Sequence, residues 1–230
     1  MIKNDELKTS ARQRITIIVI AIFMLLSTFA LYIGIILGGS NSATQSTADD
    51  AKTARFNELY QKYLTAVDAQ TKELSGKYFD DFVSYKSRVK AYNAADISVT
   101  AVKDLKIGDG AEVTDEQFTD YAAYYIGWLA DETVFDSSFD DAANPTALKA
   151  PLAGSTSMVQ GWLEGIVGMK IGGVREISIP AALAYGDQAQ GDIPANSPLK
   201  FVIMLIEPVE DPEFEGYEEL SQLMSELYNL

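Results

Sequence analysis

The chain of 230 residues contains no cysteine and no histidine. The absence of cysteine excludes disulfides, thiol nucleophiles and cysteine-ligated zinc sites. The absence of histidine removes the usual general base at neutral pH, and with it the Ser-His and Cys-His nucleophile pairs. The chemistry that remains is that of carboxylates, of lysine, or of binding alone.

Positive charge is also scarce. The chain has 33 Asp and Glu against 18 Lys and Arg, a formal net charge of -15 at pH 7. Because nucleic-acid phosphates would be repelled, we expect no nucleic-acid partner. The carboxylates lack the ordered spacing of a calcium loop such as the EF-hand, so the sequence predicts no metal site.

A long apolar run near the N-terminus, residues 15–37, holds no charged side chain. As a helix it would be roughly 34 Å long, enough to cross a bilayer. Four cations precede it, and the next one is Lys52; the four are Lys3, Lys8, Arg12 and Arg14. By the positive-inside rule, residues 1–14 are predicted to be cytoplasmic and the bulk of the chain extracytoplasmic, as in a single-pass membrane protein. The competing interpretation is a cleaved signal peptide, although the run is longer than an ordinary signal-peptide core.

Two connecting segments follow the predicted span. Residues 38–49 are rich in Gly, Ser, Thr, Asn and Ala, which predicts a flexible linker. Residues 50–98 carry apolar side chains at spacings of three and four, interrupted at Gly76, which predicts two helices or one kinked helix. The apolar positions are Phe56, Leu59, Tyr60, Tyr63, Leu64, Val67 and Leu74 before Gly76, and Tyr78, Phe82, Tyr85, Val89 and Tyr92 after it. They either pack on each other or on the following domain, or form a homodimer through a short coiled coil.

The residue pattern changes over residues 99–210. Glycines and turn signals separate short β-rich runs such as QFTDYAAYYIGWL, VREISIP and PLKFVIMLIEP, with one helix-like stretch, MVQGWLEGIVGM, among them. This pattern predicts an α+β fold in which one short helix packs across an antiparallel sheet.

Six blocks in this region occur in a characteristic order: GDG, YYIGWL, VFDSS, MVQGWLEGIVGMKIGG, IPAALAYG and IPANSPLKFVIMLIE. Their order and approximate spacing resemble those of the FKBP-type peptidyl-prolyl cis/trans isomerases, over about residues 104–209. The resemblance implies a twisted antiparallel sheet wrapped around one short α-helix, with a shallow apolar pocket for a proline ring. It also implies catalysis without a cofactor.

The resemblance further implies roles for individual residues. Trp162 would form the pocket floor, Val159 would offer its backbone N–H to a substrate carbonyl, and Tyr185 would offer its hydroxyl. The implied catalytic set is Tyr125, Phe135, Asp136, Trp162, Tyr185 and Phe201, and the implied substrate-binding set is Met158, Val159, Ile193 and Leu148. Departures from the family include the lack of an aromatic residue near Leu148, the charge that Asp192 places at the rim, and loops that differ in length by about one residue before Met158 and between Gly186 and Asp192.

The last segment, residues 211–230, is acidic and carries Tyr217, Leu220, Met224 and Leu227 at the spacing of an amphipathic helix. Three uses are open: covering the chain's own apolar surface, binding a partner, or no fixed structure.

The sequence as a whole predicts a membrane-anchored prolyl isomerase that acts on proline-containing polypeptides outside the cytoplasm. Such an enzyme would assist folding by non-covalent stabilisation of the twisted amide. The alternative is a non-catalytic peptide-binding module, or a holdase chaperone, on the same fold.

Overall fold

The computed structural model describes residues 46–115 and 120–228. These residues divide into two compact units: one formed by residues 68–210, and a helical unit formed by residues 46–67 and 211–228. The predicted membrane span lies outside the described residues. In the part that is described, none of the helices combines the length and the apolar character needed to cross a membrane.

The larger unit is built on a six-stranded antiparallel sheet. The strand order is β1-β5-β6-β2-β3, and β4 pairs with β2. The strands are β1 (Ala101–Lys106), β2 (Ala122–Trp128), β3 (Val134–Ser137), β4 (Leu152–Ala153), β5 (Val174–Ile179) and β6 (Leu199–Ile206); the helices of the chain are α1 (Ser46–Val83), α2 (Gln160–Ile166) and α3 (Tyr217–Tyr228). The predicted α+β class, an antiparallel sheet with a short helix, is confirmed.

The central strands β2 and β6 are buried on both faces of the sheet. All residues of β6 except Lys200 are buried, and so are all residues of β2 except Tyr125. Successive side chains in a strand point to opposite faces. One apolar cluster, which we call the front core, takes Ala123, Phe201, Ile203 and Leu205 from these strands, and the other, the back core, takes Ala122, Tyr124, Ile126, Trp128, Val202, Met204 and Ile206.

Helix α2 packs against the front face because two of its residues lack side chains. A Cβ on Gly161 would lie 2.3 Å from a methyl carbon of Ile179, and a Cβ on Gly165 would lie 2.6 Å from Ile177. The buried Arg175 of β5 holds the end of the helix, since its guanidinium donates to the carbonyls of Gly165 and Val167. A cation at a helix C-terminus is also favoured by the helix dipole.

The back face is covered by the second part of α1 and the segment that follows it. Phe82 has no exposed surface and contacts Tyr124 and Phe139, with ring centroids 6.2 and 5.4 Å away. Further along the chain, the Tyr92 hydroxyl donates to the carbonyl of Pro198, and the Trp128 indole donates to the carbonyl of Lys90. The apolar residues after Gly76 therefore pack on the following domain.

Two local expectations differ from the structure. Helix α1 begins at Ser46, inside the range predicted as linker, and it continues through Gly76 without a break. A Cβ placed on Gly76 would have no neighbour within 4 Å, so this glycine is exposed and requires no special backbone conformation. A glycine in a helix interior costs only about 1 kcal/mol relative to alanine, and the surrounding contacts exceed that cost.

In the helical unit, α3 covers the first part of α1. Phe56, Leu59 and Tyr63 form one buried cluster with Leu220 and Met224. At the edge of this cluster the Arg55 guanidinium donates to both carboxylate oxygens of Glu219, at 2.7 and 2.6 Å. The predicted C-terminal helix is therefore present, and it packs on α1.

We expect the Phe82→Ala variant to lose about 3–5 kcal/mol of unfolding free energy, because a fully buried ring is removed from the back core. Urea unfolding, followed by the fluorescence of Trp128 and Trp162, measures this loss. The control is Val102→Ala on β1 of the same unit, where the side chain is 50% exposed and the loss should stay below about 1 kcal/mol. Equal unfolding midpoints for Phe82→Ala and the unaltered chain would contradict the packing of α1 on the sheet.

Candidate functional site

Four aromatic rings meet on the front face of the sheet. The Trp162 ring contacts those of Tyr125 and Phe201 edge-on, with centroids 5.6 and 5.2 Å apart and interplanar angles of 87° and 84°. Phe135 meets Phe201 edge-on at 5.5 Å and 86°. Edge-to-face packing is favoured because the positive ring edge meets the negative ring face. We call Tyr125, Phe135, Trp162 and Phe201 the aromatic cluster.

Residues far apart in the sequence form this cluster because the strand register brings them together. Tyr125 and Gly127 lie on β2, Phe201 lies on β6 directly opposite Gly127, and Phe135 lies on β3. A Cβ on Gly127 would fall 2.6 Å from the Phe135 ring and 2.7 Å from the Phe201 ring. The glycine of the YYIGWL block therefore allows the two phenylalanine rings to approach each other.

Trp162 is fixed by a residue that the sequence reasoning did not single out. Its indole N–H donates to the hydroxyl of Tyr121 at 3.1 Å, and both side chains are almost completely buried. Burial raises the pKa of the Tyr121 phenol, and the hydrogen bond from Trp162 opposes this shift. The sequence signal for Tyr121 is its position directly before β2. Four residues before Tyr125, it lies on the same face of an extended chain as that tyrosine.

Asp136 lies at the open side of the cluster. It accepts a hydrogen bond from the Tyr125 hydroxyl and one from the backbone N–H of Ser137. Burial raises the pKa of the Tyr125 phenol, and the hydrogen bond to Asp136 raises it further. The Tyr125 hydroxyl therefore stays protonated at neutral pH and acts as a donor. The backbone of Tyr125 is held by Ser138, which exchanges hydrogen bonds with it at 2.9 Å.

Two further segments border the aromatic cluster. Met158 and Val159, half-buried, precede α2 and pack against the front core, which also contains Ile193. The Tyr185 side chain is 39% exposed. Its hydroxyl and the backbone N–H of Val159 have no hydrogen-bond partner among residues 46–115 and 120–228. Both donors are therefore available to a ligand.

Leu148 does not belong with these residues, and its assignment to the substrate-binding set was wrong. It is 3% exposed and lies in the back core. Its backbone N–H donates to the Ser75 hydroxyl of α1 at 2.8 Å. The segment that carries Leu148 forms a bridge to Phe139, whose ring also faces the back core, so the leucine is drawn to the opposite side of the sheet.

The arrangement can bind an apolar ring and orient a peptide. Trp162 has no exposed surface, so a ligand would meet the half-buried Tyr125, Phe135, Met158 and Val159 first. Among the described residues there is no group of three or more acidic side chains suited to hold a metal ion.

Comparison with known proteins identifies this part of the chain. The family model of the FKBP-type peptidyl-prolyl cis-trans isomerases matches residues 101–206. These residues form an FKBP-type peptidyl-prolyl cis-trans isomerase domain. The FKBP-type domain contains all six strands, helix α2 and the whole aromatic cluster.

Two similar proteins are named as peptidyl-prolyl cis-trans isomerases. The FKBP-type peptidyl-prolyl cis-trans isomerase FkpA of Aeromonas hydrophila is 33% identical over 171 residues, which are 70% of this chain and 60% of that protein. A peptidyl-prolyl cis-trans isomerase of Saccharomyces cerevisiae is 39% identical over 105 residues, 46% of this chain and 24% of that protein. Among solved structures, the crystal structure of AtFKBP13 is 32% identical, with a TM-score of 0.38, over 48% of this chain and 93% of that one. The chain thus spans 60% or less of the length of these two relatives.

Two buried tyrosines provide a matched test of how the FKBP-type domain holds Trp162. Tyr121→Phe removes the acceptor of the indole N–H, and a buried donor left without a partner costs about 1–3 kcal/mol. Tyr124→Phe removes a hydroxyl that has no hydrogen-bond partner among the described residues, so stability should be unchanged or higher. Urea unfolding measures both effects.

The same two variants report on catalysis. With the folded fractions matched, prolyl isomerase kcat/KM should fall for Tyr121→Phe, because Trp162 is no longer held against Tyr125 and Phe201. It should be unchanged for Tyr124→Phe, whose ring lies in the back core. Equal behaviour of the two variants in both measurements would show that Tyr121 does not position Trp162.

Proposed function

We propose that this chain is a peptidyl-prolyl cis-trans isomerase that acts on X-Pro bonds of polypeptides outside the cytoplasm and so assists their folding. The observation that carries the proposal is the aromatic cluster of Tyr125, Phe135, Trp162 and Phe201, built within a domain of this isomerase family. The reaction fits the chain's composition, because it requires neither histidine nor cysteine.

The chemistry follows from the barrier to amide rotation. Rotation about the X-Pro bond breaks amide resonance, at a cost of about 18–20 kcal/mol, and the uncatalysed exchange takes tens of seconds or longer. No covalent bond has to break, so a catalyst needs only to bind the twisted amide more tightly than either planar form. A surface that accelerates this reaction therefore requires a shape that fits the proline ring, the exclusion of water, and oriented hydrogen-bond donors.

The residues around the aromatic cluster supply these three properties. A proline ring packed against Phe135 and Tyr125 would leave water, and the twisted carbonyl, which is less polar than the planar amide, loses less hydration on entering the site. The Tyr185 hydroxyl and the Val159 backbone N–H are the donors available to orient peptide carbonyls. The Tyr125 hydroxyl donates a hydrogen bond to Asp136. This bond holds the Tyr125 ring in place as one wall of the site.

The test is a proline-peptide isomerisation assay on the full chain kept in solution with a mild detergent. Phe135→Ala should lower kcat/KM by about tenfold to a hundredfold. This decrease corresponds to the loss of roughly 1.5–3 kcal/mol of apolar contact with the substrate. The control is Phe214→Ala, which removes an equally half-buried ring from the helical unit and should leave kcat/KM unchanged.

Two outcomes of this assay would oppose the proposal. Equal rates with and without the folded, unaltered chain would exclude isomerase activity. If the chain then still suppressed aggregation of an unfolded client, and Phe135→Ala abolished this suppression, the protein would be a non-catalytic peptide-binding module or holdase.

We also propose that residues 15–37 anchor the chain in a membrane, with residues 1–14 in the cytoplasm and the FKBP-type domain outside. The support is the uncharged run and the four cations before it. The full chain should fractionate with membranes, and protease added outside intact cells should degrade the domain without detergent. Loss of an N-terminal epitope tag from the mature protein would instead indicate a cleaved signal peptide, and recovery in the soluble cytoplasmic fraction would exclude the anchor.

Homodimerisation through α1 stays a hypothesis. Phe56, Leu59 and Tyr63 pack on α3 of the same chain, so a dimer would have to use other residues of α1, such as Leu64, which is 36% exposed. Sedimentation of the full chain in detergent tests this hypothesis.

A further inference from the structure

We propose that Tyr92 is a positioning residue for the loop that carries Tyr185. The loop comprises residues 181–198, and the Tyr92 hydroxyl holds its end by donating a hydrogen bond to the carbonyl of Pro198. The inference rests on the proposed function, in which the Tyr185 hydroxyl orients a peptide carbonyl. It gives a part in the isomerisation to a segment outside the family match, which covers residues 101–206.

The loop of residues 181–198 connects β5 to β6 and forms hydrogen bonds mainly within itself. The backbone N–H of Asn196 donates to the Gly186 carbonyl at 2.7 Å, which closes the loop next to Tyr185. Within the described part of the chain, the bond from Tyr92 is the one side-chain hydrogen bond that reaches residues 181–198 from another segment. Besides the packing of apolar side chains, the orientation of this loop therefore depends on Tyr92.

Tyr92 can serve as a fixed point because it is itself fastened to the end of β2. Its backbone N–H donates to the Ala130 carbonyl at 3.1 Å, and the Trp128 indole donates to the carbonyl of Lys90 at 3.0 Å. The ammonium group of Lys200 lies 5.3 Å from the centre of the Tyr92 ring, within the range of a cation–π contact. These contacts hold both the backbone and the ring of Tyr92.

The Tyr92 hydroxyl acts as a hydrogen-bond donor at neutral pH. Burial raises the pKa of its phenol, and the negative charge of Asp131 raises it further, so the proton stays on the oxygen. This oxygen lies 2.8 Å from the Pro198 carbonyl oxygen and 3.3 Å from that of Trp128. The shorter contact is the stronger hydrogen bond, because it has the usual length of an O–H···O bond. Since Trp128 ends β2 and Pro198 directly precedes β6, the hydroxyl ties the loop to the sheet.

The path from Pro198 to Tyr185 is short. Asn196 stands two residues before Pro198, and it holds Gly186, which directly follows Tyr185. A shift of Pro198 is therefore passed to Tyr185 through one hydrogen bond and a few covalent bonds. An oriented donor stabilises a substrate oxygen only within about 2.7–3.1 Å, so a small displacement of the Tyr185 hydroxyl is enough to weaken its contribution.

The test uses the Tyr92→Phe variant of the full chain in a mild detergent. This change keeps the ring and removes only the hydroxyl. At matched folded fractions, we expect kcat/KM for a proline peptide to fall about threefold to tenfold, the effect of losing one net hydrogen bond. The matched control is Tyr85→Phe, because Tyr85 is also half-buried and its hydroxyl has no hydrogen-bond partner among the described residues. In this control kcat/KM should be unchanged.

The Tyr185→Phe variant distinguishes positioning from a general effect on the fold. It should itself lower kcat/KM, because it removes the donor that Tyr92 positions. When the two changes are combined, Tyr92→Phe should alter kcat/KM by less than about twofold relative to Tyr185→Phe alone, whereas two independent effects would multiply.

Hydrogen exchange of the full chain, measured by mass spectrometry, gives a second measurement that does not depend on catalysis. In Tyr92→Phe, a peptide that covers residues 184–198 should exchange faster, because one of the contacts that keep this loop closed is lost. The same peptide should exchange at an unchanged rate in Tyr85→Phe.

Three results would each overturn the positioning role. They are an unchanged kcat/KM in Tyr92→Phe, an unchanged exchange rate of the loop in that variant, and an equal fold-change for Tyr92→Phe with and without the Tyr185 hydroxyl. All three leave the isomerase function standing as long as the unaltered chain accelerates the reaction. No acceleration by the folded, unaltered chain would instead exclude the isomerase function and, with it, the part of Tyr92 in that reaction.

Discussion

The site depends on the burial of the sheet's back face. Alternate residues of β2 and β6 point to the front, where they contribute Tyr125 and Phe201 to the aromatic cluster, while their neighbours point to the back core. Because the alternate residues that point to the back are also apolar, the back face has to be removed from water as well. Here the end of α1 and the segment around Tyr92 provide that cover, with Phe82 at its centre.

This constraint also explains why the compact unit is larger than the family match. The match covers residues 101–206, whereas the compact unit begins at residue 68. The additional segment supplies one side of the back core, including the carbonyl of Lys90 that accepts from Trp128. Residues 68–98 are therefore part of the same compact unit as the sheet, in line with the interpretation that their apolar side chains pack on the following domain.

The sequence predicted those features that local pattern or motif determines. The β-rich run PLKFVIMLIEP predicted the strand β6, and the family resemblance carried by the ordered blocks assigned Tyr125, Phe135, Trp162 and Phe201 to one site. Leu148 was misassigned because the face of the sheet on which it lies depends on a long-range hydrogen bond to Ser75. No local sequence pattern encodes this bond. Tyr121 was missed for a similar reason: its role is defined by a partner 41 residues away. The exposed Gly76 looked like a helix break because the pattern cannot show whether tertiary contacts outweigh a weak local preference.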